Sequence, residues 1–224
     1  MRSTIAGPLL FSVLAQAGLH NVTIPKTTPK DAQTVPADFF GFGFESGLVP
    51  HYNNTFSENL VNSIASRMSK PLVIRIGGTS GDNIYFDRNQ KNGTYCDSGP
   101  ECKKSSKDIF HIGPDYFDTM KRFKKASMSV QAPIGKHPDL ENSVAYVHEA
   151  YKALGKDRVA AIALGNEPNW YHQEDPNAVA DYIKQAVDVE NHIVKNLSLK
   201  GDDSHIFQVG EIASQAVGSD KFNM

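Results

Sequence analysis

Short apolar runs alternate with longer segments of helical periodicity along most of the chain. The runs that predict buried strands lie at 39–45, 71–76, 128–133, 158–164 and 206–210. Apolar residues three and four positions apart predict amphipathic helices at 57–68, 114–123, 139–154 and 175–197. A strand followed by a helix, repeated four times with a fifth strand begun, predicts a parallel sheet with helical crossovers.

Turn and capping residues refine these boundaries. Asp139 is expected to cap the third helix, and Asp175 with Pro176 places a cap and a first-turn proline before the fourth. An insertion from 77 to 113, rich in Gly, Asn and Ser, is predicted to be a long loop at the carboxyl end of the second strand.

Two α/β architectures produce this alternation, a doubly wound open sheet and a closed eightfold barrel. No Gly-x-Gly-x-x-Gly phosphate loop follows the first strand, which favours the barrel. Polar residues also recur where strands end, namely Glu45, Gly77-Gly78-Thr79, Gln131 and Asn166-Glu167. We therefore interpret 39–224 as an incomplete (β/α)8 TIM barrel, comprising about its first four to five β/α units and truncated after them, with an extended segment at 18–38 before it.

Composition and charge restrict the partners. With 224 residues, 40% of them hydrophobic and 21% charged, the chain is long enough for a sizeable core. Its formal net charge of -2 argues against a nucleic-acid partner, and the basic residues between 121 and 125 are interpreted as a solvated helix end. No apolar run approaches the roughly 18 residues that a membrane helix requires, so no membrane partner is expected.

The first 17 residues have the features of a signal peptide. Arg2 supplies the positive start, 5–13 a short apolar stretch, and Ala15-Gln16-Ala17 a small-x-small cleavage site. This pattern predicts a secreted, extracellular protein. A buried N-terminal strand is the alternative interpretation.

Two further features agree with secretion. Asn-x-Ser/Thr acceptor sites for glycosylation occur at Asn21, Asn53, Asn92 and Asn196. The two cysteines, Cys96 and Cys102, flank a turn-rich segment that a disulfide can close in an oxidising compartment. Free thiols are an alternative, and no metal site is expected because no His or third Cys lies at ligand spacing.

One carboxylate stands out by its position. Glu167 follows the apolar run at 158–164 and therefore lies at the carboxyl end of a predicted buried strand. In barrels of alternating strands and helices, this end carries the chemistry. Pro168 removes a backbone donor and disfavours helical angles at Glu167, so the carboxylate is expected on a stiff turn.

The motifs around Glu167 resemble a known family. Gly165-Asn166-Glu167-Pro168 resembles the acid/base signature of retaining glycoside hydrolases on eightfold barrels, where it closes the fourth strand, and Glu167 ends the fourth strand of our count. With Arg75-Ile76-Gly77-Gly78-Thr79-Ser80-Gly81-Asp82 and Phe86-Asp87, the chain resembles glycoside hydrolase family 79, the β-glucuronidase and heparanase group, over about 39–210. The resemblance implies a secreted β-glucuronidase-like glycosidase that uses no cofactor and takes a glucuronic-acid-containing glycan or glycoside as substrate.

Retaining hydrolysis of a glycoside needs two carboxyl groups about 5–5.5 Å apart. Glu167 suits the general acid/base role. Asn166 is a candidate hydrogen-bonding partner for a sugar hydroxyl beside the reacting carbon, and its alternative role is to tie down the loop. By resemblance Glu45 binds sugar hydroxyls, although an ion pair with Arg75 is an alternative.

Other strand-end residues are weaker candidates. Gly78 allows close approach of the backbone to a ligand and Thr79 offers a hydroxyl, whereas a plain tight turn explains the glycine as well. Trp170 and Tyr171 suit either stacking on a sugar face or packing in the core or loop. Asp82 and Asp87 are expected to cap turns.

The second carboxylate is the missing part of the prediction. In the family the nucleophile comes from the end of the seventh strand, whereas this sequence ends at Met224, shortly after the fifth. Taking the 17-residue leader from 224 leaves 207 residues, against about 250 for a typical barrel. We therefore expect the nucleophile to be absent and the chain alone to be inactive. Glu211 is the only other carboxylate in a plausible position, as a surrogate nucleophile or a surface acid.

Two alternative functions stay open at this point. A secreted carbohydrate-binding protein on a degenerate barrel explains the missing nucleophile, although it does not explain the acid/base motif. A hydrolase of the same clan acting on another sugar is the second alternative.

Overall fold

The computed structural model describes residues 26–91, 94–96, 109–135, 139–171 and 175–213. The chain divides into two compact units, 1–35 and 36–224. In the first unit, residues 26–35 are exposed along their whole length, and Ala32 N closes a turn on Pro29 O at 3.1 Å. In the second unit lie all the regular elements considered below.

The elements follow one another as alternating strands and helices. The strands in chain order are β1 (Gly41–Glu45), β2 (Leu72–Gly77), β3 (Ile84–Phe86), β4 (Thr94–Cys96), β5 (Phe110–Ile112), β6 (Ala126–Ala132), β7 (Val159–Leu164) and β8 (Phe207–Gln208). The helices are α1 (Thr55–Ala65), α2 (Tyr116–Arg122), α3 (Leu140–Leu154) and α4 (Ala178–Leu197).

Five of the strands form one parallel sheet in the order β1-β2-β6-β7-β8. The five predicted strands are confirmed with shifted bounds, and the fifth is reduced to two residues. Within this sheet each strand lies beside the sheet's next strand along the chain, and the order does not reverse within the described sheet, as it would in a doubly wound fold. The protein is therefore a mixed α/β structure with a mainly parallel sheet.

The two faces of this sheet differ in chemistry because side chains alternate along each strand. One register row is apolar: Phe44, Ile76, Val130 and Ile162. Phe44 packs against the core cluster to which the other three belong, together with residues of α3 and α4. The row beside it is small or polar, and consists of Gly43, Arg75, Ser129 and Ala161. The helices therefore cover an apolar face, while charge and polarity are placed on the other.

The helix starts confirm one predicted cap and correct another. Asp139 accepts a hydrogen bond from Asn142 N at 3.0 Å and caps α3, as predicted. Asp175 does not cap α4, which begins at Ala178 with Asn177 in the capping position. Instead, Asp175 Oδ1 accepts from Asn177 N at 2.8 Å, and Ala178 N donates to Asp175 O at 3.2 Å. Asp175 thus stabilises the turn that precedes the helix.

The insertion after β2 is more ordered than a loop. It begins with a 3-10 turn at Thr79–Asn83, and β3, β4 and β5 form a second small sheet. Strand β3 pairs parallel to β5, and β4 pairs antiparallel to it. Asn142 at the start of α3 accepts from Phe86 N and donates to Ile84 O, both at 2.8 Å. The start of α3 therefore fixes the position of this sheet.

Several predictions concern the surface of the protein. Asn53 and Asn196 are exposed, as glycosylation requires, while Asn21, Asn92 and the leader at 1–17 lie outside the described residues. Cys96 is buried in β4, and its predicted partner Cys102 is also outside the described residues, so the disulfide stays a prediction. Within the described ranges, no helix combines the length and apolar character needed to cross a bilayer.

Candidate active site

The predicted site residues lie where parallel strands of the main sheet end. Glu45 ends β1 opposite Gly77 at the end of β2, and Gln131 is the penultimate residue of β6. Asn166 and Glu167 follow β7. Because the carboxyl ends of parallel strands share one edge of the sheet, these groups converge on the edge where α/β proteins carry out their chemistry.

Glu167 has a left-handed backbone conformation, with φ 48° and ψ 55°. This conformation costs a non-glycine residue free energy, and such residues cluster at functional sites. Hydrogen bonds fix it on both sides. Glu167 N donates to Glu211 O, and Glu167 O accepts from Trp170 N, both at 2.8 Å. Pro168 starts the 3-10 turn Pro168–Trp170, so the half-buried carboxylate stands on a stiff turn, as predicted.

Asn166 is buried and is bonded through both its side chain and its backbone. Arg75 Nη2 donates to Asn166 Oδ1 at 2.9 Å. The backbone N–H of Asn166 donates to Tyr171 Oη at 2.8 Å and to Asp82 Oδ1 at 3.1 Å. Among the described residues, Asn166 Nδ2 has no hydrogen-bond partner in the protein, so it is the group that a ligand can engage.

Asp82 is the site residue whose role sequence reasoning missed. Its Oδ1 accepts from Gln131 Nε2 at 2.8 Å as well as from Asn166 N. Burial raises the pKa of the Asp82 carboxyl to about 7, against the opposing effect of hydrogen bonds from Tyr171, Asn166 and Gln131. The expectation that Asp82 caps a turn is therefore wrong, because its carboxyl bonds groups at the end of β6 and in the turn after β7. Only its position, five residues beyond the end of β2, could have suggested a site role.

Arg75 and Glu45 do not pair with each other, so that sequence-based alternative is wrong. Arg75 Nη2 forms an ion pair with Glu211, three residues beyond β8. Glu45 Oε2 instead accepts from Ser80 N at 3.1 Å and from the Ser80 hydroxyl. The same hydroxyl accepts from Gly47 N at 2.9 Å, which fixes Ser80 in place. Glu45 remains exposed and can accept hydrogen bonds from a ligand.

Gly78 is required by the position of Glu45. Its φ of 93° and ψ of -174° are in a region that is essentially limited to glycine. A Cβ atom there would also overlap the Glu45 carboxylate. Thr79, the next predicted binder, is exposed at the start of the 3-10 turn.

The two aromatic candidates after Glu167 have different environments. Tyr171 is 7% exposed. Its hydroxyl accepts a hydrogen bond from Asn166 N and donates one to the carboxyl of Asp82. Burial, followed by the charge of Asp82, raises the pKa of Tyr171 well above its usual value. Tyr171 is therefore a packing residue. Trp170 is 45% exposed and stays a candidate for contact with a ligand.

Metal ligation finds no support in the described part of the chain. There, no three side chains of His, Cys, Asp or Glu are gathered as a protein metal site requires.

A parallel sheet with carboxylates, an amide and a guanidinium at its carboxyl edge defines an α/β protein with a polar strand-end site. The chain is similar to two curated proteins named β-glucuronidase. It is 27% identical over 163 residues to one from Aspergillus niger, covering 67% of this chain and 30% of that protein. It is 24% identical over 184 residues to one from Neurospora crassa, covering 73% and 32%. No protein-family model matches the chain.

A solved structure shares the fold. The crystal structure of a 4-O-α-L-rhamnosyl-β-D-glucuronidase from Fusarium oxysporum, in complex with Rha-GlcA, superposes with a TM-score of 0.66 at 22% identity. The match covers 85% of this chain and 42% of that one. The chain thus spans about a third of the length of the curated relatives it matches. At a coarse level, these relatives support a glycosidase-like function.

Proposed function

We propose that this protein is a secreted retaining glycosidase of the family 79 type that acts on β-linked glucuronides, with Glu167 as its general acid/base. The observation that carries the proposal is the setting of Glu167. It follows the fourth strand of the main sheet, in a left-handed conformation fixed by hydrogen bonds on both sides, beside an Asn166 whose Nδ2 is available. The names of the relatives support the choice of glucuronide.

The proposed architecture is the first part of a (β/α)8 TIM barrel. The unreversed order of the five parallel strands supports it, as does the likeness in fold to the rhamnosyl-glucuronidase.

Each strand-end group has a role in this chemistry. Protonated Glu167 donates its proton to the glycosidic oxygen as the bond to the sugar breaks, and its carboxylate then removes a proton from the attacking water. Asn166 Nδ2 donates to a sugar hydroxyl beside the reacting carbon. Glu45 accepts hydrogen bonds from sugar hydroxyls, and Gly78 and Thr79 allow the backbone and a hydroxyl to approach the ring.

The nucleophile is left unassigned. Besides Glu45 and Asp82, Glu211 is a carboxylate beside this site, and its side chain is engaged in the ion pair with Arg75. Its backbone oxygen, at 2.8 Å from Glu167 N, already gives it a positioning role.

Secretion is part of the proposal and has its own test. Asn53 and Asn196 are exposed acceptors, and residues 1–17 are proposed to be removed as a signal peptide. Expression in a secreting eukaryotic host should yield a protein in the medium that loses mass on enzymatic deglycosylation. Mass spectrometry should also find the Cys96–Cys102 disulfide.

The enzymatic proposal is tested first by binding and then by hydrolysis. Calorimetry should detect binding of phenyl β-D-glucuronide to the protein and to its Glu167→Gln variant. Where turnover of aryl β-D-glucuronides is measured, Glu167→Gln should lower it about 10²–10⁴-fold for phenol, and far less for 2,4-dinitrophenol, which departs without a proton. Glu190→Gln, which alters a half-buried carboxylate on α4, is the matched control.

The remaining outcomes separate the alternatives. Binding of glucuronides with no hydrolysis favours a carbohydrate-binding protein. Binding of phenyl glucosides or arabinosides in place of glucuronides favours a related hydrolase of another sugar. A folded protein that binds none of these, or a Glu167→Gln variant with wild-type turnover, would contradict the proposal.

A further inference from the structure

Trp170 is the only tryptophan of the chain, and it is 45% exposed. Tryptophan side chains are highly buried on average, since exposure of their large apolar ring to water is unfavourable. None of the ring contacts among the described residues includes Trp170. An indole without a partner ring, next to the proposed acid/base, therefore needs an explanation.

The residues on both sides of Trp170 are fixed. Asn169 Oδ1 accepts from Ala213 N at 3.1 Å, and Asn169 Nδ2 donates to Ala213 O at 3.4 Å. On the other side, buried Tyr171 accepts from Asn166 N. The backbone that carries the indole is thus ordered before any ligand arrives, which lowers the entropy cost of binding.

The turn also places Trp170 relative to Glu167. Glu167 is the left-handed residue that immediately precedes the 3-10 turn Pro168–Trp170, and Trp170 is the last residue of that turn. Glu167 and Trp170 are three residues apart, and Trp170 N donates to Glu167 O at 2.8 Å. A general acid protonates the oxygen of the leaving group, so the leaving group must lie beside Glu167.

We propose that Trp170 is the binding platform for the ring of the leaving group, aryl or pyranose, on the acid side of the site. The proposal rests on the proposed function and adds a subsite to it. The indole face is electron-rich, and the ring edges and C–H groups of a bound ring carry partial positive charge, so stacked or edge-on contact is favourable. The site should accordingly prefer glycosides with a cyclic leaving group to those with a small one.

Because the chain has a single tryptophan, its fluorescence reports on Trp170 alone. The proposed platform can therefore be tested by binding, without catalysis. The probes are phenyl β-D-glucuronide and methyl β-D-glucuronide, which share the sugar and differ in the leaving group. The phenyl compound should change the emission of Trp170 on binding and should bind about three- to tenfold more tightly than the methyl compound.

Variants decide whether Trp170 causes the preference. Calorimetry on Trp170→Ala should find equal affinity for the two glucuronides, and Trp170→Phe should retain part of the difference. Tyr85→Ala removes an aromatic side chain that is also 45% exposed, and it should keep the full preference. Circular dichroism and the melting temperature establish that each variant is folded. If the alanine variant does not fold, the comparison of affinities is made with the phenylalanine variant.

A second pair of probes, phenyl and methyl β-D-glucoside, separates this proposal from the choice of sugar. If only the glucosides bind, and Trp170 still causes a preference for phenyl, the platform stands and the glucuronide assignment fails. If glucuronides bind with equal affinity in the wild type, or Trp170→Ala keeps the preference, the platform is wrong and the glucuronide assignment stands. If none of the four glycosides binds the folded protein, both are wrong.

Discussion

Asp82 Oδ1 accepts a hydrogen bond at 3.1 Å from the backbone N–H of Asn166, the residue before the proposed acid/base. The same oxygen accepts from Gln131 Nε2 at 2.8 Å, and the Tyr171 hydroxyl also bonds this carboxyl. One side chain thus connects the 3-10 turn after β2, the end of β6 and the turn after β7. Asp82 is therefore placed to fix the turn that carries Glu167.

The first prediction concerns the pH dependence of stability. The Asp82 carboxyl has a pKa of about 7 in the folded protein and of about 3.9 in an unfolded chain. Between these values the folded state holds a proton that the unfolded state releases. The free energy of unfolding should therefore fall as the pH rises from about 4 to about 7, by a few kcal/mol. The Asp82→Asn variant should lack this fall.

Denaturant unfolding between pH 4 and 8 measures this effect as the difference in the free energy of unfolding between the wild type and the variant. The contributions of the other titrating groups cancel in that difference. Asp87→Asn is the control. Asp87 is exposed in the same insertion and, as predicted, stabilises a turn, accepting from Asn89 N at 2.8 Å. This control should keep the wild-type slope. An equal slope in Asp82→Asn would show that Asp82 does not hold the proton.

Gly78 gives a second prediction, with an internal control at Gly155. Both glycines have backbone angles that are essentially limited to glycine, φ 93° and ψ -174° at Gly78 and φ 76° and ψ 157° at Gly155. A Cβ atom at Gly78 would overlap the Glu45 carboxylate, whereas one at Gly155 would meet nothing within 4 Å. Each change to alanine should cost about 1–3 kcal/mol in backbone strain.

The difference between the two variants isolates Glu45. Gly78→Ala should be the less stable of the two in denaturant and should also weaken binding of phenyl β-D-glucuronide, because Glu45 has to move. Gly155→Ala should bind this glucuronide as the wild type does. Equal affinity in both variants would remove Glu45 from the ligand site.

The main sheet was predictable from sequence because each of its first four strands carries apolar residues, either in a run or in alternation, between turn residues. Strand β8 was predicted too long, since only Phe207 and Gln208 pair with β7. The small second sheet was not predictable. Each of its strands has three residues, too few to show a period of two, and β3 pairs with β5 across a long insertion.

The acid/base candidate was predictable, and its supporting contacts were not. Glu167 and Asn166 stand out by local sequence, namely a strand end followed by proline. Asp82 reaches Asn166 across 84 positions, and Arg75 reaches Glu211 across 136. No local pattern in a single sequence encodes such contacts. Opposite charge predicts a pairing of Arg75 with Glu45 inside a barrel, whereas Glu45 accepts from Ser80, which no local pattern indicates as its partner.

The third prediction concerns Tyr182, which links β8 to the strand that leads to Glu167. Its buried hydroxyl donates to Leu164 O and accepts from Gly210 N, both at 2.9 Å. Tyr182→Phe should lower the free energy of unfolding by about 1–3 kcal/mol, because two backbone groups lose their partner. Amide exchange should rise most at Gly210.

Tyr151 is the matched control for this change. It is half-buried on α3, so Tyr151→Phe should change the free energy of unfolding by less than about 0.5 kcal/mol. A loss in Tyr182→Phe no greater than in Tyr151→Phe would show that the hydroxyl bridge contributes nothing to the end of the sheet.

The fourth prediction separates Glu211 as an ion-pair partner from Glu211 as a reacting group. The Arg75 and Glu211 side chains are 32% and 26% exposed, so their pair should contribute about 0–1 kcal/mol. Glu211→Gln should therefore lower the free energy of unfolding by about 1 kcal/mol at most and leave glucuronide binding unchanged.

Arg75→Met should lower the free energy of unfolding by about 2–3 kcal/mol, because it also removes the charged donor to Asn166 Oδ1 and leaves Glu211 without its cation. Denaturant unfolding of both variants and of the double variant measures the coupling between the two side chains. If Glu211→Gln abolishes hydrolysis while Glu190→Gln does not, Glu211 takes part in the reaction, and the segment that follows β8 supplies a reacting group.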